Sequence, residues 1–130
     1  MHSQFVRANA LSRQVIGAAI EVHRILGPGL LETPYRRCLA YELRGRGCSV
    51  VEEMPVAVTY GNLHIANAFK VDLVVEGCVI VEVKAIGQVL PVHHAQVLTY
   101  LRLTDLRVGL MINFYVAHLK DGIKRLVNNY

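Results

Sequence analysis

The chain has 130 residues, a formal net charge of +4 and a hydrophobic fraction of 53%. This length suits a single domain spanning residues 1–130, and the composition excludes an intrinsically disordered protein. No apolar run approaches the ~18 residues of a membrane span, and residues 1–10 lack the apolar region of a signal peptide. We therefore expect a cytoplasmic protein with no membrane partner, whose basic charge is compatible with a polyanionic partner.

The first third of the chain has the pattern of two helices. Apolar residues recur at helical spacing over residues 10–26, with Ser12 as a candidate cap and Gly27-Pro28-Gly29 as the stop. A second helix is predicted from Leu31 to Arg44. It carries a row of arginines that is typical either of a solvated face or of a rim that contacts phosphates; these are Arg36, Arg37, Arg44 and, just after it, Arg46.

The rest of the chain alternates between strand and helix patterns. Strands are predicted over residues 49–60 and 63–75, and two shorter apolar runs surround a third helix from Pro91 to Leu103. The buried strand 108–114 should lie parallel to an inner strand, because a helix connects them. Residues 123–127 are compatible with an edge strand or with a last helical turn, and the sequence does not decide between them.

Charged residues interrupt the most apolar stretch of the chain, Phe69–Ala85. Asp72 lies in the first strand of this stretch, and Glu82 and Lys84 lie two residues apart in the second, so these two share one face. Buried carboxylates are unfavourable unless they are paired or hold a metal. The pattern indicates a divalent-cation site with an activated water, a pair of structural salt bridges, or a strand end where the charges reach water.

The length of the loop between these strands decides whether the acids can meet. A two-residue loop at Glu76-Gly77 would pair Asp72 with Val81 and send Glu82 to the other face. A three-residue loop that includes Cys78 places Asp72 opposite Glu82. The functional interpretation therefore requires the odd loop or a bulge.

Three spaced motifs resemble a known nuclease superfamily. Asp72, nine intervening residues and Glu82-Val83-Lys84 resemble the core of the PD-(D/E)XK nuclease superfamily, and Gln96-Val-Leu-Thr-Tyr100 matches the QxxxY motif of RecB-type nucleases. Gly29-Leu-Leu-Glu32-Thr-Pro-Tyr35 matches the signature of the GxxExxY family, a small bacterial and archaeal group within it. The resemblance covers roughly residues 10–128 and implies an α/β fold with an αβββαβ core, a mixed sheet flanked by helices.

The resemblance also implies a chemistry, metal-dependent hydrolysis of phosphodiester bonds in nucleic acid, with DNA favoured over RNA. Mg²⁺ or Mn²⁺ would be held by Asp72, Glu82, the Val83 carbonyl and Glu32. Lys84 would orient or deprotonate the attacking water, and Gln96 would position the nucleic acid or a metal-bound water. The catalytic set is thus Asp72, Glu82, Lys84, Glu32 and Gln96.

The expected substrate-binding residues are Tyr100, Tyr35, His93, Arg36 and Arg37. Three of the candidate site residues have structural alternatives. Glu32 is also compatible with a residue that compensates the helix dipole, Tyr35 with a core aromatic whose hydroxyl is satisfied, and His93 with a surface histidine.

Two rival functions remain open from the sequence. The same fold could bind nucleic acid without turnover, or it could serve as a structural or regulatory subunit with vestigial acids. The retention of all five charged and polar site residues favours the enzyme. The sequence is compatible with a homo-oligomer and does not fix the oligomeric state.

Overall fold

The computed structural model describes residues 2–129, except for the side chains of His2 and Ser3, so Met1 and Tyr130 of the predicted domain lie outside it. In chain order its elements are α1 (His2–Leu26), α2 (Glu32–Gly45), β1 (Val50–Tyr60), β2 (Leu63–Val75), β3 (Val79–Lys84), α3 (Pro91–Thr104), β4 (Val108–Asn113), a short 3₁₀ helix (Leu119–Gly122) and β5 (Ile123–Val127).

The strands form one mixed sheet in the order β1-β2-β3-β4-β5. Strands β1, β2 and β3 are antiparallel neighbours, β3 and β4 are parallel and are connected through α3, and β5 returns antiparallel to β4. The predicted fold class, a mixed sheet flanked by helices, is confirmed. Residues 123–127 form the edge strand of the two alternatives that the sequence left open.

Each face of the sheet carries its own hydrophobic core. Helices α1 and α2 cover one face, where they bury residues such as Val15, Leu39, Val81 and Leu110. Helix α3 covers the other face, and there the core includes Val71, Val74, Ile80, Val97, Tyr100 and Met111. Because strand side chains alternate, the face on which each strand residue lies can be read from the cluster that it joins.

Helix α1 begins well before the predicted start at residue 10. The apolar stripe continues upstream through Ala8, which is fully buried, and this packing stabilises the additional turns. Ser12 consequently lies inside the helix, where its hydroxyl donates to the Ala8 carbonyl at 2.8 Å. The prediction that Ser12 caps the helix is therefore wrong.

The loop between β2 and β3 has the odd length that the functional interpretation requires. Leu73 pairs with Val81, and Val75 pairs with Val79, so three residues separate the strands. Glu76 and Gly77 both adopt left-handed conformations, with φ values of 54° and 59°. Glu76 tolerates this conformation because its carboxylate accepts from the Ser49 N–H and pairs with Arg7 at 3.0 Å.

In the part of the chain that the structure describes, no helix combines the length and apolar character needed to cross a membrane. The three cysteines, Cys38, Cys48 and Cys78, are all free thiols.

The close approach between the 3₁₀ helix and β4 predicts that Gly122 cannot be replaced. A Cβ atom at Gly122 would lie 2.1 Å from the Asn113 carbonyl oxygen, so Gly122→Ala should lower the free energy of unfolding by about 2–3 kcal/mol. Gly45→Ala is the matched control, because a Cβ there meets nothing within 4 Å. Urea unfolding of both variants measures the difference, and equal stability would contradict the close approach.

Candidate active site

Asp72 and Glu82 are connected across the gap between β2 and β3. The Asp72 N–H donates to Glu82 Oε1 at 3.0 Å, and the Val83 N–H donates to Asp72 Oδ2 at 2.9 Å. The regular ladder ends one pair earlier, at Leu73 and Val81. Carboxylate oxygens thus replace the ladder bonds at the point where the two strands separate.

At Asp72, the side chains of β2 stop alternating regularly between the two faces of the sheet. Leu73 and Val75 pack against α1 and α2, whereas Val74 and Val71 both pack against α3. Strict alternation would place Val71 on the same face as Leu73. The alternation is therefore interrupted at Asp72, between Val71 and Leu73.

Strand β1 is irregular at the same level. Its register with β2 is unchanged on either side and places Glu53 opposite Asp72. Glu53 has a φ of 50°, a left-handed conformation that a residue with a side chain seldom adopts. Val50 packs towards α1 and α2, but Met54 packs towards α3, although residues four apart in a regular strand lie on the same face. The alternation of side chains is therefore interrupted in β1 as well as in β2.

Burial makes the charged forms of the two acids unfavourable. Burial raises the pKa of Glu82 to about 7, and the charge of Asp72 adds to that rise. The pKa of Asp72 is also raised, first by burial, although the hydrogen bond from Val83 and the charges of Lys84 and Arg36 oppose the shift. The two acids form one coupled, poorly compensated group.

Lys84 lies on the same face of β3 as Glu82. Val81 and Val83 pack against α1 and α2, and alternation sends Glu82 and Lys84 to the α3 side. The ammonium of Lys84 lowers the pKa of both Asp72 and Glu82. The structure therefore brings together the three charged residues of the central stretch.

Helix α3 adds Tyr100 to this group. The Tyr100 ring stacks on Phe69 with 4.3 Å between ring centroids and an interplanar angle of 12°. The pKa of Tyr100 is raised by burial and then by the charges of Glu82 and Asp72. Gln96 lies one turn earlier on α3, where it is exposed and makes no hydrogen bond to the other described site residues.

Glu32 reaches the same end of β3 from the first residue of α2. Its Oε2 accepts from the Ala85 N–H at 3.1 Å, immediately after Lys84. The charge of Glu32 also contributes to the raised pKa of Asp72. Glu32 is thus connected to the end of β3 that carries Glu82 and Lys84.

Tyr35 lies in the core, as the structural alternative to a substrate-binding role describes. Its side chain is fully buried and stacks on Phe114 with 4.3 Å between centroids. Its hydroxyl donates to the Gly27 carbonyl and accepts from the Leu30 N–H at 3.1 Å. Tyr35 therefore organises the turn between α1 and α2, and the expectation that it binds substrate is not supported by its burial.

His93 holds the start of α3. Its Nδ1 accepts from the Leu90 N–H at 2.9 Å, which indicates that a neutral ring carries its proton on Nε2. Only Nε2 could contact a substrate, so the predicted binding role of His93 depends on that atom.

The four arginines of the predicted rim do not form one surface. Arg36 is directed towards β1 and pairs with Glu53 at 3.3 Å, whereas Arg37 is exposed beside the apolar groove between α1 and α2. Arg44 pairs with Glu52, and Arg46 pairs with Glu42. The structure thus brings Arg36 towards Asp72 and leaves Arg37 away from it, because successive helix residues point about 100° apart.

Asn113 is a positioning residue that the sequence did not reveal. It is buried opposite Lys84 at the end of β4. Its amide oxygen accepts from the Ile86 N–H at 3.1 Å, and its amide nitrogen donates to the Ile86 carbonyl at 2.9 Å. These bonds fix the loop that follows Lys84. An asparagine in an apolar run was the only signal, and it does not specify a partner.

Comparison with known proteins identifies the group to which this site belongs. A family model of the PD-(D/E)XK nuclease superfamily matches residues 9–126. The chain belongs to this superfamily. The matched segment includes Glu32, Asp72, Glu82 and Lys84, whereas the narrower GxxExxY family remains a prediction. Searches of curated proteins and of solved structures returned no match.

PD-(D/E)XK nucleases generally use divalent metals, and the donors present fit such an ion. In a strand, the N–H and C=O of one residue point to the same side, so the Val83 carbonyl faces Asp72 as its N–H does. Two carboxylates and a carbonyl are the hard oxygen ligands that Mg²⁺ and Mn²⁺ accept, with water in the remaining positions.

Glu32 is not placed as a direct metal ligand beside Asp72 and Glu82. Among the described residues, no group of three or more His, Cys, Asp or Glu side chains could hold a metal ion together. Glu32 therefore does not join Asp72 and Glu82 as a direct third carboxylate, and its Oε2 is engaged by the Ala85 N–H.

The position of Tyr35 predicts a role in stability. Tyr35→Phe keeps the stacking on Phe114 but leaves the Gly27 carbonyl and the Leu30 N–H without the hydroxyl. The free energy of unfolding should fall by about 1–2 kcal/mol. Urea unfolding measures the loss, and an unchanged midpoint would contradict the bonding described.

The raised pKa of Glu82 predicts that metal-free protein loses stability as the pH rises. The folded protein keeps this proton up to about pH 7, whereas the pKa of an unperturbed glutamate is 4.5. The folded state therefore binds more protons across this window, and its free energy of unfolding should fall by roughly 1–3 kcal/mol between pH 5 and pH 8.

Melting experiments in EDTA at both pH values test this dependence. Glu82→Gln should melt higher than the parent at pH 8 and depend less on pH, because the amide keeps a hydrogen-bond acceptor without the charge. A parent protein that is more stable at pH 8 than at pH 5 would contradict the assignment.

Proposed function

We propose that this protein is a Mg²⁺- or Mn²⁺-dependent nuclease that hydrolyses phosphodiester bonds in nucleic acid, with DNA favoured over RNA. The observation that carries the proposal is the junction of Asp72 and Glu82, whose carboxylates meet where β2 and β3 separate, with Lys84 on the same face as Glu82. Membership of the PD-(D/E)XK nuclease superfamily supports this reaction class.

Asp72, Glu82 and the Val83 carbonyl would hold the metal, and Glu32 would support the strand end through Ala85. A bound divalent ion would supply Lewis-acid stabilisation of charge on the phosphate and lower the pKa of water. The protein contributes the burial that keeps both carboxylates poorly solvated, so that a cation is strongly favoured between them.

Lys84 acts on the water that attacks phosphorus. Its ammonium already stabilises the charged forms of both acids in the metal-free protein. When a cation compensates the acids, the ammonium is free to orient the water and to neutralise charge that develops on the phosphate. Gln96 and Tyr100 would contact the nucleic acid from α3.

The chain also contains the GxxExxY motif, and two residues of that motif, Glu32 and Tyr35, make specific hydrogen bonds. Glu32 bonds to the backbone after Lys84, and Tyr35 bonds to the turn that precedes α2. The motif would therefore place one acid at the site and fix the turn that delivers it. We include this subfamily in the proposal.

A cleavage assay tests the proposal directly. Single- and double-stranded DNA and RNA are incubated with the protein in Mg²⁺, Mn²⁺ or EDTA. Cleavage that requires a metal and is lost in Glu82→Ala supports a nuclease. Metal-independent binding without cleavage of any substrate would instead indicate a domain that only binds nucleic acid.

Substitutions of Lys84 and Glu82 should have different effects on cleavage and on Mg²⁺ binding. Lys84→Ala should reduce cleavage by about 10²–10³-fold while Mg²⁺ affinity is equal or tighter, because a competing cation is removed. Glu82→Ala should lose both cleavage and Mg²⁺ binding. Calorimetric Mg²⁺ titration separates the two variants. Lys70→Ala, a change at an exposed lysine on β2, is the control. Parental cleavage by Lys84→Ala would contradict the catalytic role.

A further inference from the structure

Arg36 occupies an unusual position between the outer strand and the candidate active site. It lies one helical turn after Glu32, on the same face of α2. Its side chain is only 15% exposed, and its positive charge lowers the pKa of Asp72. The guanidinium is therefore a nearly buried cation close to one of the two central carboxylates.

The hydrogen-bonding capacity of Arg36 is largely unused. A guanidinium has five N–H donors, and Arg36 makes one hydrogen bond, a long one of 3.3 Å to Glu53 Oε1. Its Nε is 3.6 Å from Glu52 Oε1, beyond hydrogen-bond distance, and Glu52 bonds better to Arg44 at 3.0 Å. Among the side chains that the structure describes, those of residues 4–129, Arg36 Nε is the one buried nitrogen or oxygen without a hydrogen-bond partner.

Glu53, the better partner of Arg36, lies in a strained segment opposite Asp72. Its φ of 50° places it in the left-handed region at the level where β1 and β2 change faces. Its side chain is 52% exposed, so its ion pair with Arg36 is weak and exchangeable. Strain of this kind persists where the surroundings hold it, and often where a ligand binds.

The charges at this end of β3 favour an anion only after a metal binds. When all three acids are ionised, Asp72, Glu82 and Glu32 carry three negative charges against the two positive charges of Lys84 and Arg36. A divalent cation reverses that balance. Once a metal compensates Asp72, the guanidinium of Arg36 loses its attraction to that carboxylate and keeps its unused donors.

We propose that Arg36 is a phosphate-binding residue of this site, held near Asp72 by an exchangeable ion pair with Glu53 until the nucleic-acid backbone replaces that carboxylate. The ligand is a phosphodiester group of the substrate, which the planar guanidinium binds through two parallel hydrogen bonds. This inference rests on the proposed function and assigns the contact to Arg36, with Arg37 excluded because it faces the groove between α1 and α2.

Binding measurements with Ca²⁺ in place of Mg²⁺ test the proposal, since Ca²⁺ also takes oxygen ligands. The parent and each variant are titrated against a fluorescent DNA duplex and single strand at several salt concentrations. Arg36→Ala should weaken binding about tenfold and reduce the salt slope by about 0.7–0.9, the value for one phosphate contact. Arg36→Lys, which keeps the charge and is the safer variant for folding, should weaken binding about threefold.

Glu53→Gln gives an effect of opposite sign. Because it removes the competing carboxylate, it should tighten binding about two- to threefold, whereas a merely structural role for the Arg36–Glu53 pair would make both variants bind more weakly. Arg37→Ala is the matched control, with the same loss of charge one residue away on the other side of the helix, and should bind almost as the parent does.

The outcomes separate this inference from the proposed function. Suppose that the parent protein binds and cleaves nucleic acid. If Arg36→Ala and Arg37→Ala then weaken DNA binding equally, the assignment of the phosphate contact to Arg36 is wrong, but the proposed function is not. Weaker binding in Glu53→Gln overturns the exchange. A parent that neither binds nor cleaves nucleic acid overturns the proposed function and this inference together.

Discussion

The reciprocal hydrogen bonds between Asp72 and Glu82 are the constraint on which the rest of the site depends. They replace ladder bonds at the end of the β2–β3 pairing, so the Asp72 and Val83 N–H groups keep acceptors where the two strands separate. The same geometry places two carboxylates side by side in a poorly solvated position, where their charged forms are unfavourable without a cation. The same two carboxylates therefore both complete the backbone hydrogen bonds and create a position that favours a cation.

Helix α2 and strand β4 both support the end of β3 beside this junction. Glu32 accepts from the Ala85 N–H, and Asn113 holds both backbone groups of Ile86. Two consecutive residues after Lys84 are thus fixed by side chains from different elements. This loop connects β3 to α3, so the bonds also fix the direction from which Gln96 and Tyr100 approach.

Periodicity and local chemistry predicted most of the fold. The strand pattern of Phe69–Ala85 and the requirement for an odd loop gave the register that places Asp72 opposite Glu82, and the helix between two apolar strands gave the parallel β3–β4 pair. The start of α1 and the strand character of residues 123–127 depend on tertiary packing, which short-range patterns do not contain.

The site was predictable in its central residues and less so in its surroundings. Charged residues inside an apolar run, such as Asp72 and Glu82, are conspicuous in a sequence, and the structure brings these two together. The structure places Tyr35 in the core and Arg37 away from Asp72, and a motif or a charge run does not state which way a side chain points. Asn113 was missed for the same reason, and the change of face at Glu53 leaves no sequence pattern.

The irregularity of β1 has a consequence for the exposed edge of the sheet. Strand β1 is an edge of the sheet, and an edge offers unpaired N–H and C=O groups to other chains. The left-handed Glu53 breaks that row, and Pro55 removes one N–H two residues later. The backbone distortion that accompanies Asp72 therefore also makes the adjacent edge a poor template for intermolecular strand pairing.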